Sequence, residues 1–294
     1  MGLGLPWAQS TLRPVLPLSP QAAMTQIQLF VIDPQNDFMD VPGAALPVPG
    51  ASADMQRLAQ FVDLHLQRID DIVITLDSHA SVGIERTTFW RAGDGASAAA
   101  FTAVTAAAVR AGRFNPRDPT RLPAVLSYLD ALEAGSGRTL VVWPVHCVVG
   151  DWGHNIEATL SSSLARWESV RQRQCEKVHK GLNPLTEQYS AFRAEVPRAD
   201  DTRTQNNAAL MARLAQGSGL LAVAGEALSH CVAASGEDML DQLPVARLRD
   251  TVFLSDCMSP VPGFEPAGQQ FLATLRSHGV RCLTMREFSA VLQA

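Results

Sequence analysis

Short β-branched and apolar runs alternate with longer amphipathic stretches from residue 27 almost to the end of the chain. The runs at 27–33, 71–76, 139–143, 176–179, 220–225, 246–254 and 280–284 predict strands; the stretches 51–67, 155–171, 206–216, 231–243 and 265–277 predict helices. The last helix closes on His278-Gly279, a stop signal. Apolar strands that alternate with helices predict an α/β fold in three α/β/α layers, its central sheet mostly parallel and covered on both faces. Such sheets bind ligands beyond the carboxyl ends of their strands, near a switch in strand order. One stretch breaks the rhythm. Residues 91–137 are rich in Ala, Gly and Arg and carry Pro116, Pro119 and Pro123. They read as an insertion with helices at 97–111 and 123–133, inside a single domain spanning 25–294.

Composition narrows the class. A chain of 294 residues, 47% hydrophobic and 18% charged, can bury a substantial core. A net charge of −5 offers no electrostatic pull on nucleic acid or an anionic membrane, so neither is expected as a partner. No apolar run approaches the roughly 20 residues that span a bilayer. The five cysteines, Cys147, Cys175, Cys231, Cys257 and Cys282, are odd in number and scattered. They fit free thiols in a reducing, cytoplasmic setting better than a disulfide framework. Residues 1–24 hold Pro6, Pro14, Pro17 and Pro20 with little charge, which interrupts any signal-peptide-like core. They read as a flexible extension, with Met24 as an alternative start.

The chemistry-bearing residues gather at strand ends. Asp33 closes the run Leu29-Phe30-Val31-Ile32, Lys180 follows Lys177-Val178-His179, and Cys231 follows an apolar run and the turn Glu226-Ala227-Leu228-Ser229-His230. Taken singly, these are an Asp-Pro turn, a surface lysine and a small buried hydrophobe. Taken together they are a base, a cation and a nucleophile. A thiol at a strand-to-helix turn also lies near the positive end of a helix, which favours thiolate. A second set, Asp77-Ser78-His79 with the distant His146, supplies one carboxylate and two imidazoles, donors suited to Zn²⁺, Fe²⁺ or Mn²⁺. Phe38 and Trp143 could stack on an aromatic substrate. His154 and His230 lie close to these segments and receive no role. No Gly-x-Gly-x-x-Gly follows the first strand, which argues against dinucleotide binding.

These elements together resemble the nicotinamidase/pyrazinamidase branch of the isochorismatase-like cysteine hydrolases. The resemblance runs in order through Ile32-Asp33-Pro34-Gln35-Asn36-Asp37-Phe38, Asp77-Ser78-His79, Trp143-Pro144-Val145-His146-Cys147-Val148, Lys180-Gly181 with Tyr189-Ser190-Ala191-Phe192, and Gly225-Glu226-Ala227-Leu228-Ser229-His230-Cys231-Val232. It covers about residues 27–284, with 91–137 as the main excess. It implies the Rossmann-like fold of those hydrolases, Asp33 as base, Lys180 as cationic partner and Cys231 as nucleophile. It further implies a cis peptide between Glu226 and Ala227, and an oxyanion hole of the Ala227 and Cys231 N–H groups. A divalent metal on Asp77, His79 and His146 would receive the pyridine nitrogen of the substrate. Phe38 and Trp143 would flank the ring, with Tyr189 also lining the substrate site. Relatives are often homo-oligomers, though no interface patch is marked in the sequence.

Two departures bear on substrate and metal. Relatives often carry a further histidine soon after the Asp-x-His pair; here Ser81-Val82-Gly83-Ile84-Glu85-Arg86 has none, and Glu85 is the only substitute ligand. The turn before Cys231 holds Leu228-Ser229-His230 where relatives commonly show small residues and Thr-Asp. The expected activity is cysteine-dependent hydrolysis of a small aromatic primary amide, nicotinamide to nicotinate and ammonia. The alternative keeps the triad and changes the substrate to another small amide, a carbamoyl compound or an isochorismate-like vinyl ether. A non-catalytic binding protein on the same fold would be expected to lose a triad member, and this chain has all three.

Overall fold

A computed structural model describes residues 25–135 and 137–293; the expected N-terminal extension at 1–24 lies outside the described residues. In chain order the elements begin with β1 (Ile27–Ile32), α1 (Ala51–Leu64) and β2 (Ile69–Asp77). The inserted region follows with β3 (Trp90–Ala92), β4 (Thr102–Val104), α2 (Ala106–Arg110), β5 (Phe114–Pro116), α3 (Leu122–Gly135) and β6 (Leu140–Val142). Next come α4 (Ala158–Arg171), β7 (Glu176–Lys180), α5 (Ala208–Gln216) and β8 (Leu220–Gly225). The chain ends in α6 (Ala233–Gln242), α7 (Val245–Arg249), β9 (Thr251–Leu254), α8 (Glu265–Ser277), β10 (Arg281–Leu283) and α9 (Met285–Val291).

Six strands form the central sheet in the order β10-β9-β8-β1-β2-β7, every neighbouring pair parallel. The period of two along β1 explains the layers. Ile27, Leu29 and Val31 enter one apolar cluster with Met55, Leu58 and Phe61 of α1 and Leu160 and Trp167 of α4. Phe30 and Ile32 enter the other, with Leu210 and Leu214 of α5, Met239 of α6 and Phe271 and Leu275 of α8. This is the expected α/β/α sandwich. The chain leaves β1 toward β2 and β7, then returns to β1's other side with β8, so the switch in strand order lies between β1 and β8. Gly225 closes β8 at φ +123°, where a Cβ would stand 1.9 Å from the Ile32 carbonyl oxygen; only glycine allows that approach.

Several expectations need correcting. The run at 139–143 is not a strand of the central sheet: β6 pairs antiparallel with β4 in a separate two-stranded ribbon. The expected helix 97–111 divides into β4 and the short α2, because Thr105 caps α2 by accepting the Ala108 N–H. The expected strand 246–254 begins with the turn of helix α7, and only Thr251–Leu254 is extended. Helix 231–243 begins earlier, as one π turn at Leu228–Val232 that runs into α6. The short strands β3, β4 and β5 and helix α9 carry no clear period. The inserted region packs on its own apolar cluster, which includes Ile84, Trp90, Val125, Leu129, Leu132 and Val142.

No helix among the described residues is long and apolar enough to cross a membrane. Helix α1 shows how loops lock onto the sandwich. Its N-cap is Gly50, which has no side chain to cap with, and Asp40 substitutes by accepting the N–H groups of Gly50 at 3.0 Å and Ser52 at 2.9 Å. Ser52 and the Gly50 N–H hold the Asp40 pKa down at about 2. A depressed carboxyl stabilises the fold above its unfolded pKa and loses that contribution as pH falls through its folded pKa. Asp40→Ala is expected to cost about 0.5–1 kcal/mol at pH 7 in urea unfolding, the low end of capping because the site is exposed. The difference from wild type should shrink below the ordinary 3.8 and be lost as pH falls through about 2.

Candidate active site

Four central strands deliver one reactive residue each, at or just beyond their carboxyl ends. Asp33 follows β1, Asp77 ends β2, Lys180 ends β7, and Cys231 lies in the π turn after β8. All four are buried. The Lys180 ammonium is the hub. Nζ lies 2.9 Å from Asp33 Oδ2, 3.0 Å from Asp77 Oδ1 and 3.4 Å from Cys231 Sγ, and donates to the Gln188 carbonyl at 3.1 Å. The base, the cation and the thiol expected from sequence therefore meet in one place.

Local backbone sets this up. Asp33 leaves its strand in the left-handed region, φ +45°, and the Thr75 hydroxyl donates to its Oδ1 at 2.6 Å. Oδ2 accepts no hydrogen bond among the described residues although the Lys180 ammonium lies beside it. The Glu226–Ala227 peptide is cis, as the resemblance implies, and the Ala227 N–H donates to no acceptor among the described residues. Gln35 pins β2's end: its amide donates to the Asp77 carbonyl at 2.8 Å and accepts the Asp77 N–H at 2.7 Å. Asp37 accepts the Cys147 N–H at 2.6 Å and so holds the loop that carries His146.

Burial decides the charges. It opposes the Lys180 charge, but Asp33 and Asp77 outweigh it and lift the pKa well above that of an ordinary lysine. Burial also raises the Asp33 pKa against the pull of Lys180. It pushes the Cys231 thiol well up, with Lys180 opposing and the two aspartates reinforcing. The expectation of a thiolate favoured by a helix end is thus corrected. Desolvation and the two carboxylates outweigh the lysine and work against the thiolate.

Asp77, His79 and His146 are all buried, and each offers a ligand atom within 4.8 Å of the others. Asp77 Oδ2 lies 2.7 Å from His79 Nε2 and 3.3 Å from His146 Nε2. Burial lowers the pKa of both histidines, that of His146 to about 4 with Arg86 adding to the effect. Neutral imidazole is the ligating form, so one carboxylate and two imidazoles fit a divalent transition metal. Gly181, at φ +75°, passes over the group where a Cβ would stand 2.5 Å from His79 Cε1. Glu85 stands on the other side of His79, Oε1 3.3 Å from Nδ1, and its Oε2 has no partner among the described residues.

A small cavity beside Cys231 is lined by Phe38, Trp143 and Tyr189, the three expected substrate contacts, and by Ala227, Asp77 and His146. His230 lines it too, a position that sequence reasoning left without a role. Arg86 was also missed. It is fully buried, donates to Glu85 Oε1 at 2.9 Å and lies 2.6 Å from His146 Nδ1. Glu85 was singled out only as a substitute ligand, and no pattern marks its neighbour Arg86 as internal. His154 meets the Ser78 hydroxyl at 2.8 Å, behind the metal-ligand group.

No protein-family model and no curated protein sequence matches the chain. Solved structures do. The yeast nicotinamidase bound to the inhibitor nicotinaldehyde aligns with a TM-score of 0.59 at 19% identity, covering 88% of this chain and 100% of that one. An Acinetobacter baumanii nicotinamidase/pyrazinamidase gives 0.60 at 19% identity, over 90% and 98% of the two chains. This chain has the nicotinamidase fold. A Pyrococcus horikoshii pyrazinamidase in complex with zinc shares it at a TM-score of 0.52 and 19% identity, over 88% and 99%. At such identities the shared property is the nicotinamidase fold, and the chemistry has to be argued from the side chains.

Removing one member of a buried ion cluster leaves uncompensated charge and costs about 3–5 kcal/mol. Lys180→Met strands Asp33 and Asp77 with their carboxylates 2.9 and 3.0 Å from the lost ammonium. Urea unfolding at pH 7 is expected to show a loss in that range. A loss under 1 kcal/mol would mean that Lys180 is not the hub of this cluster.

Proposed function

We propose that the protein is a cysteine-dependent amidohydrolase acting on a small aromatic primary amide, with nicotinamide as the model substrate and nicotinate and ammonia as products. The observation that carries the reading is the convergence of Cys231 Sγ, Asp33 and the Lys180 ammonium, with Nζ 3.4 Å from the sulfur and 2.9 Å from Asp33 Oδ2. Such a set suits nucleophilic catalysis with an on-site base.

Asp33 takes the proton of Cys231 as the sulfur attacks the amide carbonyl, and Lys180 balances the negative charge that passes between them. The developing oxyanion is received by the N–H groups of Ala227 and Cys231; losing one such donor costs about 10²–10³ in rate. Protonated Asp33 returns its proton to the leaving nitrogen, and ammonia departs from a thioester on Cys231. The same carboxylate then draws a proton from water, which cleaves the thioester and restores the thiol. Phe38 and Trp143 flank the aromatic ring, and Tyr189 closes the pocket. Asp77, His79 and His146 would hold a divalent metal, which supplies a Lewis-acid seat for a pyridine nitrogen. That group of ligands favours a pyridine amide over a carbamoyl compound or a vinyl ether as substrate.

Cys231→Ala is expected to abolish ammonia release from nicotinamide while leaving the unfolding transition in place. Removing bound metal with a chelator should lower wild-type turnover at least tenfold, and adding Zn²⁺, Mn²⁺ or Fe²⁺ back should restore it. Full activity in a metal-free preparation would move the reading to the other amides that the triad could cleave.

A further inference from the structure

The cavity beside Cys231 is small, about 30 Å³, which is room for a couple of water-sized groups. A second cavity of about 350 Å³ adjoins it, in the range of small-molecule sites. Glu187, Tyr189 and His230 line both, so they form the wall between the reacting centre and the larger space. The outer walls are mostly apolar. Leu132 and Val141 come from the inserted region and its return strand, and Phe264 and Phe271 from the start and middle of α8. At the wall itself the rings of Trp143, Tyr189 and Phe264 surround His230 with centroids 5.1, 5.3 and 4.7 Å away.

One polar atom at this boundary lacks a partner. Glu187 is 5% exposed; its Oε1 accepts the Gln188 N–H at 2.9 Å, and its Oε2 is buried with no hydrogen bond among the described residues. A buried carboxyl oxygen without a partner is costly unless something fills its place. Burial, with Glu85 and Asp77 adding to it, raises the Glu187 pKa to about 8. A hydroxyl or amide group suits Oε2 in either protonation state, since each both donates and accepts.

We infer that the preferred substrate is an extended aromatic amide: its carboxamide lies at Cys231, and a ring substituent passes His230 into the outer cavity, where an apolar arm carrying a hydroxyl or amide group meets Glu187. The inference rests on the amidase reading above and adds the substrate's second half. It gives the inserted region a role in specificity, since Tyr128 and Leu132 of that region line the outer space. It also explains why the turn before Cys231 carries His230, whose imidazole borders both cavities.

The test measures ammonia release from nicotinamide and from ring-substituted nicotinamides carrying benzyl or hydroxybenzyl arms. The wild type is expected to turn over the best hydroxybenzyl compound with kcat/KM at least tenfold above nicotinamide. Ala267→Trp and Gln270→Trp, two exposed α8 positions on the outer wall, should each cut that ratio at least tenfold. Glu187→Leu should erase the preference for hydroxybenzyl over benzyl. A wild type that prefers nicotinamide to every extended amide, or a ratio that neither tryptophan changes, overturns the inference and leaves the amidase reading standing. Calorimetry on Cys231→Ala separates the opposite case. Tight binding of a hydroxybenzyl amide, lost when Ala267→Trp is added, with no hydrolysis by wild type, sinks the amidase reading and keeps the outer site. No hydrolysis and no binding sinks both.

Discussion

The site is organised by one ammonium group held out of water between two carboxylates. Lys180 Nζ sits 2.9 Å from Asp33 and 3.0 Å from Asp77, with all three side chains nearly inaccessible. Taking three charges out of water costs several kcal/mol each, and only close, mutually satisfied geometry offsets that. The arrangement therefore constrains three adjacent parallel strands to end at one level. It also links two groups. Asp77 offers Oδ1 to the lysine and Oδ2 to His79 and His146, so one carboxylate belongs both to the ion cluster beside Cys231 and to the Asp-His-His group. A cation placed on that group would draw on the charge that now helps hold Lys180.

The fold makes this convergence inexpensive. Parallel strands all point their carboxyl ends to one edge, and the strand order reverses between β1 and β8, which opens a crevice there. Asp33 and Cys231 flank that reversal, while Asp77 and Lys180 arrive from β2 and β7 on one side of it. Close approach at the crevice then requires special backbone. Gly225 lies against the Ile32 carbonyl and Gly181 against the His79 ring, both at positive φ where any side chain would collide. Asp33 reaches the left-handed region without being glycine, a strain of order 1 kcal/mol held in place by Thr75 and by the lysine.

Much of this was legible in the chain, for a physical reason. Buried parallel strands are continuous apolar runs, so a charged residue at the end of one stands out, as Asp33 and Asp77 did; Lys180, which ends the polar Glu-Lys-Val-His-Lys strand, and Cys231, in the turn after β8, gained their roles from the resemblance. His146 was found with the right partners but by a wrong route, because Leu140–Val142 is apolar enough to pass for a central strand while it pairs antiparallel with β4. The short ribbons of the inserted region, three residues to a strand, are below the length at which a period of two is visible. Arg86 and Glu187 were invisible for a different reason. Charged residues are presumed to face water, and their burial depends on partners far away in sequence: Arg86 on the Pro144–His146 turn, Glu187 on a loop closed over by Tyr128.

The protonation of Cys231 follows from the same burial and alters the logic of activation. A helix end contributes about half a unit charge, and its effect fades within a turn; here it competes with complete desolvation and with two carboxylates close to the sulfur. A thiol kept protonated is protected from oxidants and stray electrophiles, since the thiolate is the reactive form. Asp33, whose own pKa burial has raised, shares the Lys180 ammonium with the sulfur. Lys180 touches both partners, and its charge stabilises the negative charge wherever the proton sits. In the proposed reaction the nucleophile would form as it attacks, by a proton moving within a cluster whose total charge stays constant.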